Sequence, residues 1–144
     1  MRVVIDTNTI LSAIFYGGKP EKILEAIFDN LVDIVLTEEI ITEYEAVIIR
    51  HIKKNKEIPL REVDPLIGDS LKIIDRIKLI ADIIDAHTTK TPYCSEQDDI
   101  MFLQAAIAGK AKYLISGDKH LLKVAKYRGG LVLEARGFLE KLEC

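Results

Sequence analysis

Residues 2–8 read Arg-Val-Val-Ile-Asp-Thr-Asn, a short apolar run that ends directly in an aspartate. The run predicts a buried strand over Arg2–Ile5, and Asp6-Thr7-Asn8 predicts the start of a helix. A second stretch, residues 113–118, reads Tyr-Leu-Ile-Ser-Gly-Asp and has the same order of strand, aspartate and helix. Two strands that each lead into an acidic helix start favour an α/β fold.

Short β-branched runs and amphipathic stretches alternate along the rest of the chain, which is typical of a parallel sheet with helical connections. Further strands are predicted over 32–36 and 131–133, and one within 78–84. The predicted helices cover about 7–17, 20–29, 37–54, 98–108, 119–126 and 136–142. A helix over 59–74 is expected to be interrupted, because Pro65 and Gly68 disfavour helix interiors.

Length and composition favour one domain over residues 1–144, with 49% hydrophobic and 30% charged residues. The net charge of −3 excludes a strongly basic surface for duplex DNA. No uncharged run approaches the ~20 residues that span a bilayer, and Met1-Arg2 leads into a strand instead of a signal peptide. Cys94 and Cys144 form no CxxC motif. The sequence predicts a cytoplasmic protein without a membrane segment.

Two acidic residues are expected at the ligand-binding edge of the sheet. Open parallel sheets bind ligands beyond the carboxyl ends of their strands. Asp6 follows the first predicted strand directly, and Asp118 follows a later strand by two small residues. Either aspartate alone is also explained as a cap of the helix that follows it.

Two further acids lie on helices beside apolar positions. Glu43 is one position off the apolar stripe of its helix, and Asp99 heads a helix whose same face carries Phe102, Leu103 and Ala106. An acid beside buried surface is costly unless it is paired or coordinated. The alternatives are an exposed helical glutamate and an aspartate favoured by the helix dipole. Taken together, these alternatives would require all four acids to point toward one crevice by accident.

Convergence of the four acids would require a cation, because carboxylates within a few ångströms cannot all stay ionised without one. Hard oxygen ligands, with no histidine or cysteine cluster nearby, favour Mg²⁺ or Mn²⁺ over zinc. Such a site orients and activates a water molecule for attack at phosphorus.

The ordered set of motifs resembles a PIN domain. The pieces are Asp6-Thr7-Asn8 after an opening strand, Thr37-x5-Glu43-Tyr44, Asp99-x2-Phe102-Leu103-x2-Ala106, and the run from Leu114 to Leu122 that contains Ser116-Gly117-Asp118. The resemblance covers nearly the whole chain, except about 55–91. It is greatest to small stand-alone PIN proteins of archaea and bacteria, many of them toxins of VapC type.

The resemblance implies a three-layer α/β/α sandwich with a central, mainly parallel sheet, and the activity of a metal-dependent ribonuclease. It also implies an RNA substrate and, for a toxin, an antitoxin partner. The residues that match the catalytic and metal-binding acids of the family are Asp6, Glu43, Asp99 and Asp118. Asn8 and Ser116 match the polar positions beside the first and fourth acids.

One segment departs from the family pattern. Residues 94–99 read Cys-Ser-Glu-Gln-Asp-Asp, where many relatives carry an Asp-Pro-x-Asp approach. The ligand is therefore either Asp98 or Asp99. We prefer Asp99, which shares a face with Phe102, and assign Asp98 a supporting position beside it.

Two basic clusters are candidates for RNA contacts. The densest basic run, at the far end of the Glu43 helix, consists of Arg50, His51, Lys53, Lys54 and Lys56, and Lys119, Lys123 and Lys126 follow Asp118 at about helical spacing. Either cluster could hold phosphates, but a solvated helix face is the simpler explanation of each. The sequence has no interleaved aromatic residues that would predict a surface for stacking bases.

The main hypothesis is RNA hydrolysis at the four acids. The alternative is a non-catalytic PIN module that binds RNA or a protein partner. A phosphate-accepting domain of receiver type fits less well, because its acceptor aspartate belongs on a middle strand. A homodimer is a further prediction, since Ile48, Ile49 and Ile52 exceed what one helix face requires.

Overall fold

The computed structural model describes residues 1–91 and 99–143. Its strands are β1 (Arg2–Ile5), β2 (Asp33–Leu36), β3 (Asp82–Ile83), β4 (Tyr113–Ile115), β5 (Lys126–Tyr127) and β6 (Gly130–Leu133). They form one sheet in the order β3-β2-β1-β4-β6-β5. All neighbours are parallel except β5 and β6, which are antiparallel. The predicted mainly parallel sheet is confirmed.

Helices flank this sheet, as the sandwich prediction requires. They are α1 (Thr7–Phe15), α2 (Gly18–Phe28), α3 (Glu38–Lys54), α4 (Leu60–Ile80), α5 (Ile100–Ala108), α6 (Lys119–Val124) and α7 (Ala135–Glu143). Helix α1 packs against α2 and α3, α3 packs against α4, and α5 lies against β1, β2 and β4. Within the described ranges, none of the helices is long and apolar enough to cross a membrane.

The central position of β1 explains its unbroken apolar run. Val3, Val4 and Ile5 are all buried, as expected for a parallel strand with neighbours on both sides. In the sheet register Ile5 is opposite Ile115, and Ile115 is opposite Leu133. The residues that follow these three strands therefore begin at the same edge of the sheet.

Helix α4 differs from the prediction, because it continues through Pro65 and Gly68 without interruption. Pro65 lies in the second turn and is exposed, so its ring removes only one backbone hydrogen bond, to the carbonyl of Arg61, and water can reach that carbonyl. Burial of Ile74 and Ile77 on the inner face holds the helix in place. Strand β3 falls within the predicted range 78–84 but has only two residues, and β5 was not predicted.

Packing of α4 against α3 also accounts for the apolar residues that favoured a homodimer. Ile48 and Ile52 are buried in the core of the chain itself, and Ile49 is half-buried. Ile48 and Ile52 therefore offer no exposed apolar surface, so the interpretation of these two residues as a dimer surface was wrong. Homodimerisation stays a prediction without that support.

Pro65→Ala is expected to raise the free energy of unfolding by about 1–3 kcal/mol. The substitution restores a hydrogen bond inside a continuous helix, and the greater freedom of the unfolded chain offsets part of that gain. Urea denaturation followed by circular dichroism measures the change. A lower stability in Pro65→Ala would mean that α4 is not regular at this position.

Candidate functional site

Asp6 is the most buried acid at the sheet edge, with 4% of its surface exposed. It forms the N-cap of α1, where its Oδ1 accepts a hydrogen bond from the backbone N–H of Thr9 at 2.9 Å. This is the capping role that the sequence left open as an alternative. The carboxylate also lines the acidic pocket described below, so its role as a helix cap is compatible with its predicted role in the site.

Ser116 connects the first acid to the fourth. Its hydroxyl is fully buried and donates a hydrogen bond to Oδ2 of Asp6 at 2.5 Å. Oγ of Ser116 in turn accepts a hydrogen bond from the backbone N–H of Asp118 at 2.9 Å. The buried serine therefore fixes two acids that are 112 positions apart in the chain.

Tyr44, a residue of α3, also contacts this edge of the sheet. Its hydroxyl, fully buried, donates a hydrogen bond to the carbonyl oxygen of Ile5, the residue before Asp6. Burial, aided by the negative charge of Asp6, raises the pKa of Tyr44 well above its usual value, so this hydroxyl keeps its proton. From the sequence Tyr44 was named as part of the motif Thr37-x5-Glu43-Tyr44, and its polar contact was not predicted because the partner lies 39 residues away.

The four predicted acids line one pocket of about 160 Å³. Asp6 follows β1, Asp118 caps α6, Asp99 stands at the start of α5, and Glu43 projects from α3. Asn8, Thr7, Val47 and Phe102 complete the pocket wall. Asp98, for which a supporting position was predicted, lies outside the described residues.

Asp118 is held in place by the start of its own helix. Its Oδ1 accepts hydrogen bonds from the backbone N–H groups of His120 at 2.7 Å and Leu121 at 3.4 Å. The side chain is half-buried, as are those of Glu43 and Asp99. Three half-buried acids around one buried acid form a strongly negative pocket that solvent can reach.

The pKa of Asp6 is raised mainly by burial, and the neighbouring acid contributes to a smaller extent. Burial is the main cause that raises the pKa of Asp6 above 3.8, and the charge of Asp118 raises it further. Hydrogen bonds from Ser116 and Thr9 oppose the rise. A bound cation would favour the ionised form of Asp6 and reverse the effect of Asp118.

The donor set fits a hard divalent cation, since the pocket offers four carboxylates. Within the described residues, however, no three histidine, cysteine, aspartate or glutamate side chains are close enough together to hold one metal ion. Mg²⁺ does not need such a group of three, because it keeps several of its waters and binds through one or two carboxylates together with substrate phosphates.

The four predicted RNA contacts have different surroundings. Arg50 lines a pocket that shares Asn8 and Val47 with the acidic pocket. Lys53 is exposed on the same helix, and Lys119 and Lys123 are exposed on α6 beyond Asp118. Only Arg50 is thus found in the wall of a described pocket next to the acids.

A larger depression of about 450 Å³ adjoins the acidic pocket on its other side and shares Asn8 and Asp118 with it. Lys19 and Arg136 contribute positive charge to its wall, and Glu134 contributes negative charge. No sequence pattern indicated Lys19 or Arg136, because each stands alone at the start of a different helix. Lys54 beside Arg50 belongs to the basic run that was singled out from the sequence.

Asp6→Asn is expected to raise the melting temperature of the metal-free protein at pH 7. Because the pKa of Asp6 is raised in the folded state, its stabilising contribution is present below pH 3.8 and is lost as the pH rises through the folded-state value. The neutral amide removes that loss, and Ser116 Oγ can accept a hydrogen bond from it. The gain should be largest at neutral pH and should shrink toward pH 3.8.

Thermal melts in EDTA between pH 4 and 8 measure this gain. Asp69→Asn, which removes one exposed carboxylate of α4, is the control for loss of a negative charge. A lower melting temperature for Asp6→Asn at neutral pH would mean that the hydrogen bonds of Asp6 outweigh the cost of burying its charge.

The fold has a relative among solved structures. A chain in the crystal structure of VapBC2 from Rickettsia felis, bound to a DNA fragment from their promoter, superposes with a TM-score of 0.54 and 17% sequence identity. The match covers 93% of this chain and 98% of that chain. At this identity the similarity concerns the fold alone.

Sequence comparison gives the family. A search of curated proteins found no match. The family model described as the PIN domain, in contrast, matches residues 2–120 of the 144 in the chain. The matched span includes all four acids of the pocket together with Asn8 and Ser116. The chain therefore belongs to the PIN-domain family.

Proposed function

We propose that the protein is a metal-dependent endoribonuclease that hydrolyses RNA phosphodiester bonds at the acidic pocket. Membership of the PIN-domain family supports a nuclease in general terms. The observation that carries the finer proposal is that Asp6, Glu43, Asp99 and Asp118 line one pocket although they come from four separate segments. In this proposal the protein acts on RNA in the cytoplasm.

The pocket would hold Mg²⁺ or Mn²⁺ through one or two of its four carboxylates, together with substrate phosphates. When bound, the ion would supply an activated water molecule and neutralise negative charge that develops on the phosphate. Without such a cation, a pocket of four acids would repel a polyanion such as RNA. A metal ion would therefore be required for a phosphate to enter the acidic pocket and for the reaction there.

The remaining residues of the pocket would orient the acids. Ser116 holds the Asp6 carboxylate and the backbone of Asp118 in one arrangement, and Tyr44 fixes the end of β1 from which Asp6 projects. Asn8 is exposed on the first turn of α1 and offers an amide to a substrate phosphate or sugar. Such supports matter because hydrogen bonds to metal ligands fix their orientation.

Single substitutions of the acids are expected to abolish metal-dependent RNA cleavage without unfolding the chain. Asp6→Asn, Asp99→Asn and Asp118→Asn should each lower the cleavage rate by at least about a hundredfold, since the loss of an outer hydrogen-bond partner alone costs roughly 10- to 100-fold. Cleavage of a labelled single-stranded RNA with Mn²⁺, with and without EDTA, measures the effect. Undiminished cleavage in two of these variants would exclude the proposed site.

Calorimetric titration with Mn²⁺ separates metal binding from catalysis and tests the choice between Asp98 and Asp99. We expect Asp99→Asn to weaken Mn²⁺ binding strongly and Asp98→Asn to weaken it less. Each of these two variants is the control for the other, because each removes one negative charge and the two positions are adjacent. The opposite order of effects would transfer the ligand role to Asp98.

We also propose that the protein is the toxin of a toxin-antitoxin pair. The support is the similarity of its fold to a chain of a structure described as VapBC2. An antitoxin would then be a protein partner that blocks cleavage. The non-catalytic alternative, a PIN module that only binds RNA or a partner, would share the fold but would not need all four acids.

Expression in a bacterial host is expected to arrest growth if the protein is a ribonuclease toxin. The Asp6→Asn variant should relieve the arrest at equal protein level, because it removes a carboxylate from the pocket and leaves the fold intact. Growth curves with immunoblots measure both quantities. Equal arrest by both proteins would contradict a toxin that acts through this pocket.

A further inference from the structure

A second pocket, of about 290 Å³, lies directly beside the acidic pocket. Its wall consists of Asn8 and Leu11 from α1 and of Val47, Arg50, His51 and Lys54 from α3. Asn8 and Val47 belong to the walls of both pockets. A chain that occupies the acidic pocket can therefore continue into the second one without leaving the protein surface.

The second pocket is positively charged, in contrast to its neighbour. Arg50 and Lys54 are exposed and one helical turn apart, and none of the described residues that line this pocket is acidic. Glu43 and Arg50 are seven residues apart on α3, which corresponds to about 10 Å along the helix axis. A stacked nucleic-acid strand carries one phosphate per about 3.4 Å, so Arg50 lies about three phosphates from Glu43 along that helix.

An exposed aromatic side chain contacts His51, one of the residues in the wall of the second pocket. Tyr16 ends α1 with 71% of its surface exposed, and its hydroxyl is 3.0 Å from Nε2 of His51. The rings of Tyr16 and His51 meet edge to face, with centroids 5.7 Å apart. On its other side His51 contacts the ring of Phe15, with centroids 4.9 Å apart. The cluster holds the Tyr16 ring in a defined position although it is exposed.

We propose that this second pocket is a nucleotide subsite for single-stranded RNA. Arg50 and Lys54 bind backbone phosphates, and the Tyr16 ring, held by His51, stacks on an unpaired base. This inference rests on the proposed function, because it assigns the path of the substrate away from the acidic pocket.

The combination of groups favours a single strand over other polyanions. Stacking on an aromatic ring requires an unpaired base, and proteins that bind single strands combine a positively charged groove with such rings. An acidic peptide would be attracted by Arg50 and Lys54 but would gain little from the Tyr16 ring. The contribution of Tyr16 therefore distinguishes the two ligands.

The test is the affinity for a labelled single-stranded RNA of mixed sequence, measured by fluorescence anisotropy in EDTA at several salt concentrations. Tyr16→Ala is expected to weaken binding about tenfold, as is typical for loss of one base-stacking side chain. The double variant Arg50→Ala/Lys54→Ala should make the slope of log affinity against log salt shallower by about 1.4, since each phosphate contact to a single strand contributes about 0.7.

Two controls make the comparison specific. Arg61→Ala/Lys72→Ala also removes one arginine and one lysine, both exposed on α4, and should leave the salt slope nearly unchanged. The affinity for a duplex of the same sequence should not depend on Tyr16, because its bases are already stacked. Wild-type affinity for single-stranded RNA in both Tyr16→Ala and Arg50→Ala/Lys54→Ala would overturn the proposal. Binding of polyglutamate that needs Arg50 and Lys54, without any such effect on RNA, would also overturn it.

Failure of this inference can be distinguished from failure of the proposed function, because no cleavage occurs in EDTA. Weaker RNA binding by the variants of the second pocket would support the subsite even if the wild-type protein cut no RNA. Metal-dependent cleavage that needs Asp6, together with unchanged RNA binding by those variants, would leave the nuclease in place and remove the subsite.

Discussion

The arrangement of the site depends on one buried carboxylate, that of Asp6. Burial alone would make an ionised carboxylate very costly, and the protein offsets this cost with hydrogen bonds from Thr9 N–H and Ser116 Oγ. The first contact begins α1, and the second joins the end of β1 to the end of β4. The same interactions that allow Asp6 to be buried therefore also fix the orientation of the first helix and the position of Asp118.

Sheet topology explains why acids that are remote in sequence become neighbours. Strand β1 lies in the middle of the sheet with β4 on one side and β2 on the other. Their carboxyl ends meet at one edge, so Asp6 and Asp118 converge there, while α3 carries Glu43 to the same edge. An acid from a single loop could be displaced without disturbing the fold, but these acids follow elements whose positions the core determines.

The sequence predicted the parts of this arrangement that local pattern encodes. Apolar runs located β1 and β4, and the offset of Glu43 from an apolar stripe indicated an acid at the border of buried surface. The contact between Tyr16 and His51 joins residues 35 positions apart, and no local spacing predicts such a contact. Helix α4 was predicted as interrupted because local propensity counts Pro65 against it, whereas burial of Ile74 outweighs that preference in the folded chain.

Charge along α3 shows how an acidic chain can offer a binding surface to a polyanion. Glu38 and Glu39 lie in its first turn, and His51, Lys53 and Lys54 lie in its last turn, an order that stabilises the helix through its dipole. Glu43 of the acidic pocket and Arg50 of the second pocket are about 10 Å apart along the helix axis, which exceeds the Debye length of about 8 Å at physiological salt. Each pocket is therefore governed by its own nearby charges, and the net charge of −3 does not decide what binds there.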